Sequence, residues 1–225
     1  ISYQRAEDYY NEGMMIWLET DAMLRAQTGG AKGIDDFARG FFSGPEGDFK
    51  ARGFTFAEVA TALNGISPYD WAGYLTKRTT EKAIGAPMGG LTLGGYRLIY
   101  TDEPTPFFQD KEKRATELDL SYSIGLTIGK GGKVNTVIWD SPAFNAGLTS
   151  AAEIVAVNGR TYTDDAIREA ITAAKGGKDP VRLIVKSGIR VREVPIMWNG
   201  GLRYPRLEKT GAGDGSLDLL LKPRP

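Results

Sequence analysis

The chain has 225 residues, with 28 basic and 28 acidic side chains and a hydrophobic fraction of 41%. Its length suits one large or two modest domains, and its composition is ordinary for a soluble globular protein. No nucleic-acid partner is expected, because proteins of that class carry a basic excess or a basic stripe. The densest charge run, Asp110–Arg114, mixes both signs and indicates a solvated linker.

The sequence contains neither histidine nor cysteine. Disulfides, thiol chemistry, a Ser-His-Asp triad, a Cys-His pair and a His-bearing zinc site are therefore excluded within this chain. The compartment stays open, since a reducing cytoplasm and a periplasmic or cell-envelope location without disulfides both fit. No apolar run approaches the ~20 residues that span a bilayer, so no membrane-spanning segment is expected. Because the chain begins at Ile1 without a signal-peptide pattern, we expect a piece of a longer protein.

Apolar spacing and capping signals predict four helices in the N-terminal part of the chain. The third is marked by a capping box of Thr55 and Glu58. The expected inward stripe of the first helix consists of Met15, Leu18, Ala22 and Ala26. The predicted bounds are about Tyr3 to Thr28, Ile34 to Phe42, Thr55 to Gly65, and a fourth helix with Ser67 as N-cap and Pro68 at its first position.

Strands dominate from Leu120 onward, after a short strand at Tyr96–Tyr100 and a charged segment. One helix interrupts them, and a glycine-rich tail with a final strand or helical turn follows Trp198. The predicted bounds are strands at 125–128, 153–157, 181–186 and 190–196, and a helix from about Thr163 to Ala174.

The segment Ile124–Gly159 has a recognisable order of motifs: a strand, a glycine-rich turn, a second strand, Ser-Pro-Ala, Ala-Gly-Leu, a third strand and Asn-Gly. This order resembles a PDZ domain of the bacterial protease-associated type. The usual Gly-Asp after Ala-Gly-Leu is replaced here by Ala152-Glu153, which alters a turn outside the expected groove.

The resemblance implies a groove that holds an extended peptide, often by its C-terminal carboxylate. The peptide would add as a strand beside Gly125–Ile128 and lie against the helix, with main-chain hydrogen bonds supplying affinity. The backbone N–H groups of the loop Tyr122–Gly125 would receive the carboxylate. The expected peptide-binding residues are Ser123, Ile124, Gly125, Leu126, Thr127, Ile128, Ile167, Ala170 and Ile171. The chain's own tail, with Leu219–Leu221, is a second candidate occupant.

A second series of motifs spans nearly the whole chain. It comprises Tyr10-x-x-Gly13, a helical block, Pro68–Trp71, Gly94–Leu98, the PDZ-like segment and Gly200–Leu207. This series resembles the C-terminal part of the glycyl aminopeptidase family, zinc peptidases with a thermolysin-like catalytic domain followed by a PDZ domain. The implied fold class is α+β: a helical subdomain from the end of the catalytic domain, then a PDZ-like β-barrel or sandwich.

This family resemblance implies four segments: 1–95 as part of the catalytic domain, 96–118 as linker, 119–198 as PDZ-like domain and 199–225 as extension. It also implies that the zinc ligands lie upstream of Ile1, so that this chain binds no cofactor and is not catalytic alone. Tyr10 is the one catalytic residue implied here, as hydrogen-bond donor to the oxyanion. Tyr9 takes that role if the register shifts by one.

Three functions remain open from the sequence. The first is a fragment of a zinc aminopeptidase that prefers N-terminal Gly or Ala, with the upstream half of its own catalytic domain and a peptide or protein C-terminus as partners. The second is a self-standing PDZ adaptor or scaffold. The third is a PDZ-like domain that acts as a structural brace and binds no free peptide. A zinc-binding H-E-x-x-H motif in the upstream coding sequence separates the first from the second.

Overall fold

The computed structural model describes residues 8–44, 46–47, 50–82 and 85–223. Helices and strands are mixed along this part of the chain, which confirms the predicted α+β class. Its strands lie in three separate sheets, so the described residues form no closed barrel. The chain divides into two compact units: unit 1 is Ile1–Leu98 together with Leu207–Pro225, and unit 2 is Ile99–Arg206.

Unit 1 is largely helical. Its helices are α1 (Asp8–Gln27), α2 (Ile34–Phe42), α3 (Phe56–Ile66), α4 (Trp71–Thr80), α5 (Gly89–Leu93) and α9 (Ser216–Leu221). A two-stranded sheet pairs β1 (Tyr96–Thr101) with β9 (Tyr204–Lys209), and the boundary between the units crosses both strands. Residues 3–7 of the predicted first helix lie outside the described residues.

The helix ends follow local capping chemistry. The predicted capping box is confirmed: the Glu58 carboxylate accepts the Thr55 N–H at 2.7 Å, and the Thr55 hydroxyl accepts the Glu58 N–H at 3.3 Å. The predicted start of the fourth helix is wrong. Asp70 is the N-cap of α4 and accepts the Gly73 N–H at 2.9 Å, whereas Ser67 is the C-cap of α3. The Ser67 N–H still donates to Leu63, so this residue belongs to the preceding helix.

The core of unit 1 is formed by α1 to α4. Its buried apolar residues are Ile16, Leu24, Phe37, Ala60, Leu63, Trp71 and Leu75. The predicted stripe of α1 is partly wrong, because Ala26 is exposed and Met15 is half-buried. The buried face of the helix instead includes four polar side chains, Glu19, Thr20, Asp21 and Arg25, which hydrogen bonds and ion pairs satisfy.

The sequence patterns did not predict α5, and they left the tail that forms α9 open between a strand and a helical turn. Helix α5 lies against α1 at a very close approach, since a Cβ atom on Gly90 would stand 2.7 Å from the Glu19 backbone nitrogen. Helix α9 settles the open alternative for the tail in favour of a helix. Its Asp218 accepts a hydrogen bond from the Tyr96 hydroxyl at 2.6 Å.

Unit 2 contains most of the strands. Its further elements are α6 (Pro106–Ala115), β2 (Glu117–Leu120), β3 (Leu126–Gly129), a 3₁₀ turn (Lys130–Gly132), β4 (Val134–Val137), α7 (Pro142–Asn145), β5 (Glu153–Val157), β6 (Arg160–Thr161), α8 (Asp164–Ala173), β7 (Val181–Ser187) and β8 (Arg190–Ile196). One sheet has the strand order β2-β3-β4 and the other has the order β6-β5-β7-β8. The charged segment that the sequence suggested as a solvated linker is the helix α6, begun by Thr105 as N-cap and Pro106.

The core of unit 2 is one apolar cluster that draws on both sheets and on α8. It includes Leu118, Leu120, Ile128, Ile167 and Ile171, all of them buried. The predicted ends of α8, Thr163 and Ala174, are its N-cap and C-cap, and the Thr163 hydroxyl accepts the Ala166 N–H at 3.0 Å. This arrangement places the predicted groove residues around a single strand, β3.

Candidate functional site

Tyr10 lies in the first turn of α1 with its side chain 67% exposed. The neighbouring Tyr9 is also exposed, and the centroids of the two rings are 4.4 Å apart. A hydrogen bond with Tyr10 raises the pKa of the Tyr9 hydroxyl. Both phenols are therefore reachable from solvent at the helix start, and the oxyanion-donor role of Tyr10 stays a prediction.

The metal chemistry of this chain is limited by its donors. Across the described ranges, no group of three or more Asp, Glu, His or Cys side chains could hold a metal ion. Zinc sites in enzymes use histidine, cysteine and carboxylate ligands, and two of those three residue types are absent from the sequence. The residues that the structure describes therefore do not fit a zinc site. No helix within the described part of the chain has the length and apolarity to cross a membrane.

A polar cluster in unit 1 was missed by the sequence reasoning. The Tyr74 hydroxyl donates to the Glu19 carboxylate at 3.1 Å, and the Arg78 guanidinium donates to the other carboxylate oxygen at 2.5 Å. Burial raises the pKa of the Tyr74 hydroxyl to about 12. The cluster joins α1 to α4. No periodic signal marks it, because a glutamate at a buried helix position has the same sequence appearance as one on the surface.

The predicted peptide-binding residues lie together in unit 2, and every one is buried. Gly125 lies at a close approach, since a Cβ atom there would stand 2.0 Å from the Ser141 Cβ, and its φ is +84°. The neighbour is the chain's own Ser141. The peptide-binding role of these residues stays a prediction.

The strand expected to offer free main-chain groups is paired on both edges. β2 pairs with β3 in antiparallel register from Glu117 opposite Gly129 to Leu120 opposite Leu126. On the other edge, β4 pairs with β3. The expectation of unpaired main-chain groups on this strand is therefore wrong, because the chain itself supplies the added strand.

The loop that was predicted to receive a carboxylate instead donates hydrogen bonds to a carbonyl oxygen of β2. The N–H groups of Ser123 and Gly125 both donate to the Leu120 carbonyl oxygen, at 3.1 and 3.0 Å. The Ser123 hydroxyl accepts the Arg203 N–H at 3.0 Å, which fixes the loop from its other side. Leu120 thus lies where the last residue of a bound peptide was expected.

The two faces of β2 differ. Leu118 and Leu120 belong to the buried cluster that also contains Ile167 and Ile171 of α8. Asp119, between them, accepts a hydrogen bond from Lys111 of α6 at 2.8 Å, and its own N–H donates to Glu112 at 2.7 Å. Helix α6 therefore anchors β2 by charged groups, while the leucines anchor it by apolar burial.

The surroundings of β2 shift the pKa values of two carboxyl groups. Burial raises the pKa of the Glu112 carboxyl, although Arg168 of α8 lies 3.4 Å away. Burial also pushes the pKa of Asp119 upward, but hydrogen bonds from Lys111 and Ser121 outweigh it and hold that pKa below its usual value. At neutral pH the contact between α6 and β2 is thus an ionic one.

The alternation Glu-Leu-Asp-Leu at 117–120 was the available sequence signal for β2. It is short and follows the charged run, and the predicted boundary between linker and PDZ-like domain divides it after Leu118. The other proposed occupant is wrong: residues 216–221 of the tail form α9 within unit 1.

Comparison with known proteins gives a likeness of fold. No family model matches the chain, and no curated protein matches it. Among solved structures, an aminopeptidase N family protein from Idiomarina loihiensis is similar over 96% of this chain, with a TM-score of 0.59 and 16% sequence identity. The chain spans 36% of the length of that protein. At this identity the likeness concerns the fold, which is related to that of a peptidase.

An HtrA3 PDZ domain bound to a phage-derived ligand also matches, with 19% identity, covering 51% of this chain and 91% of that one. Its TM-score of 0.26 is too low to carry an argument.

Proposed function

We propose that this chain is the C-terminal part of a zinc aminopeptidase, in which unit 1 completes the catalytic domain and unit 2 is a PDZ-like module. The observation that carries the proposal is the fold likeness to an aminopeptidase N family protein, which extends over 96% of the chain and hence over both units. The order of motifs from Tyr10 to Leu207 supports the same assignment. A substrate with a small N-terminal residue, Gly or Ala, follows from the family resemblance.

In this proposal the zinc ligands come from residues other than those of this chain, because the sequence has no histidine or cysteine and the carboxylates of the described residues form no metal-binding group. The contribution of this chain is a positioned phenol. Tyr10 donates a hydrogen bond to the oxyanion that forms when the peptide carbonyl is attacked. Such a donor accelerates the reaction because it binds the charged transition state more strongly than the neutral substrate.

The pairing of β2 with β3 argues against a free adaptor as the role of unit 2. A free adaptor needs an open strand edge for its peptide. Here the edge is filled by residues 117–120, whose leucines are fully buried. Unit 2 in this state is a closed module rather than an open peptide receptor.

The test begins with the coding sequence upstream of Ile1. We expect an H-E-x-x-H motif and a downstream glutamate there. The full-length protein should then hydrolyse chromogenic amides of Gly and Ala faster than that of Leu, and a chelator should abolish the activity. A full-length protein without the motif, or one that cleaves none of these amides, contradicts the proposal. The alternative function is then the self-standing adaptor or scaffold.

A further inference from the structure

Strand β2 has the features of a peptide ligand that remains part of the chain. It runs antiparallel to β3, and its last residue, Leu120, lies opposite the first residue of that strand. The carbonyl of Leu120 receives two N–H donors from the loop that precedes β3. A free peptide with its C-terminal carboxylate at this loop would have the same direction and the same pairing.

Apolar and charged side chains alternate along β2, and each kind meets a different side of the groove. Leu118 and Leu120 are buried against the cluster that contains Ile167 and Ile171 of α8. Since successive side chains of a strand point to opposite faces, Asp119 faces the other way, toward Lys111 of α6. The apolar wall therefore takes the last and third-last positions of the occupying strand.

One polar side chain at the contact between β2 and β3 has no hydrogen-bond partner among the described residues. Thr127 is paired with Asp119, so the two side chains share a face. Within the described ranges, the Thr127 hydroxyl is the one buried side-chain polar atom that has no hydrogen-bond partner. An unpaired buried hydroxyl is costly, and opening this face to water would relieve it.

A cavity of about 570 Å³ lies beside the same segment. Residues of α6, β2, the end of β3, the 3₁₀ turn after it and α8 line it, among them Glu112, Leu118, Ile128, Gly131, Asp164 and Arg168. The N-terminal end of β2 thus borders open space, whereas its C-terminal end is fully enclosed. Strands that border a void lose packing contacts and are easier to detach.

We propose that α6 and β2 form an intramolecular ligand that closes the groove of unit 2, with Leu120 in the position of a ligand's last residue, and that an outside peptide enters only when this segment leaves. The inference rests on the PDZ-like role proposed for unit 2. It adds that the groove is controlled by the chain itself. The competing peptide is an extended chain with a free carboxylate and apolar last and third-last residues.

The first arm of the test weakens the charged anchor and leaves the leucines in place. The variant Lys111→Ala with Glu112→Ala removes both contacts from α6 to Asp119. The matched control, Asp110→Ala with Arg114→Ala, removes an exposed ion pair of the same helix. We expect hydrogen exchange at the Ser123 and Gly125 amides to be at least about tenfold faster in the first variant than in the control.

The second arm measures peptide binding by calorimetry and by NMR shifts of the full chain. The probe has the sequence of residues 113–120 and a free C-terminal carboxylate, and the control probe is its C-terminal amide. Because the apparent affinity is the intrinsic affinity multiplied by the fraction of molecules with an open groove, the Lys111/Glu112 variant should bind the acid at least about tenfold tighter than the control variant does. The amide should bind at least about tenfold more weakly than the acid.

Absence of binding to the Lys111/Glu112 variant overturns the proposal, whether or not its exchange is faster. Equal affinity of the two variants for the acid also overturns it, since β2 would then not compete. If the double variant fails to fold, the single variant Lys111→Met is judged by the same two criteria. No arm depends on peptidase activity, so a failure here is separate from a failure of the aminopeptidase proposal.

Discussion

The carboxylate of Glu19 and the guanidinium of Arg78 form an ion pair of 2.5 Å between helices α1 and α4. The Glu19 side chain is almost completely buried, while about a third of Arg78 is exposed. Tyr74 donates a second hydrogen bond to the same carboxylate. Because the buried carboxylate accepts hydrogen bonds from two donors, the cost of its desolvation is compensated. Removal of either donor should therefore lower the free energy of unfolding.

Replacement of Arg78 by Met keeps the aliphatic stem and leaves the Glu19 carboxylate without its cation. We expect the free energy of unfolding to fall by about 2 kcal/mol, below the 3–5 of a fully buried pair because Arg78 is partly hydrated. Urea unfolding followed by circular dichroism measures it. The matched change Arg114→Met, in an exposed pair, should cost less than about 0.5 kcal/mol. Equal losses for the two variants would show that the pair contributes nothing specific.

Gly90 tests the close approach of α5 to α1. Its Cβ in an alanine variant would stand 2.7 Å from the Glu19 nitrogen and 2.8 Å from the Leu18 carbonyl carbon, both of them backbone atoms that cannot move aside. Gly90→Ala should destabilise the protein by about 1–3 kcal/mol. Gly13→Ala, inside α1 with no atom within 4 Å, should stabilise it by about 0.5–1 kcal/mol. A stabilising Gly90→Ala would disprove the packing of these helices.

The titration of Tyr74 links pH to stability. Its folded pKa of about 12 exceeds the ordinary value of 10.0, chiefly because burial disfavours the phenolate. A raised folded pKa gives stability that is fully present below the unfolded pKa and is lost as pH rises through the folded one. We therefore expect the free energy of unfolding to decline between pH ~10 and ~12. Tyr74→Phe should make that decline shallower, whereas Tyr69→Phe, an exposed change in the same segment, should not.

Tyr10→Phe in the full-length protein removes one hydroxyl with little change in volume. If Tyr10 donates to the oxyanion, the turnover number should fall by about 100- to 1000-fold, with a smaller change in the Michaelis constant. The adjacent Tyr9→Phe serves as the control, since its hydroxyl is similarly exposed. A large loss in Tyr9→Phe alone would move the role by one residue. No loss in either variant would remove tyrosine from the mechanism.

The sequence predicted elements whose signals are local. The capping box of Thr55 and Glu58, the bounds of α2 and the strand Glu153–Val157 all follow from residues within a few positions of one another. The start of α4 was misplaced because Ser67 and Asp70 are both good caps and the choice depends on what else binds them. Ser67 bonds Gln27 of α1, a distant partner that no local pattern contains.

The candidate groove shows the same limit at larger scale. Its strand β3 and helix α8 were located from alternation and helical spacing, and the clustering of Ile128, Ile167 and Ile171 followed from a likeness to known folds. The occupant could not be predicted. β2 pairs with β3 because the paired state has a lower free energy than the state in which β2 is exposed to solvent. A sequence pattern does not give this free-energy difference.

Unit 1 is built from two stretches of chain that are separated by the whole of unit 2, and the hydrogen bond from Tyr96 to Asp218 spans 122 positions. On a ribosome, residues 99–206 emerge before residue 218 does. Unit 2 can thus complete its own fold while the seat of α9 on unit 1 still faces solvent. At ~5–20 residues per second, synthesis of these 122 positions takes about 6–24 s, during which the seat stays uncovered. In that interval the Tyr96 hydroxyl has water in place of its Asp218 partner, and unit 1 lacks its last helix.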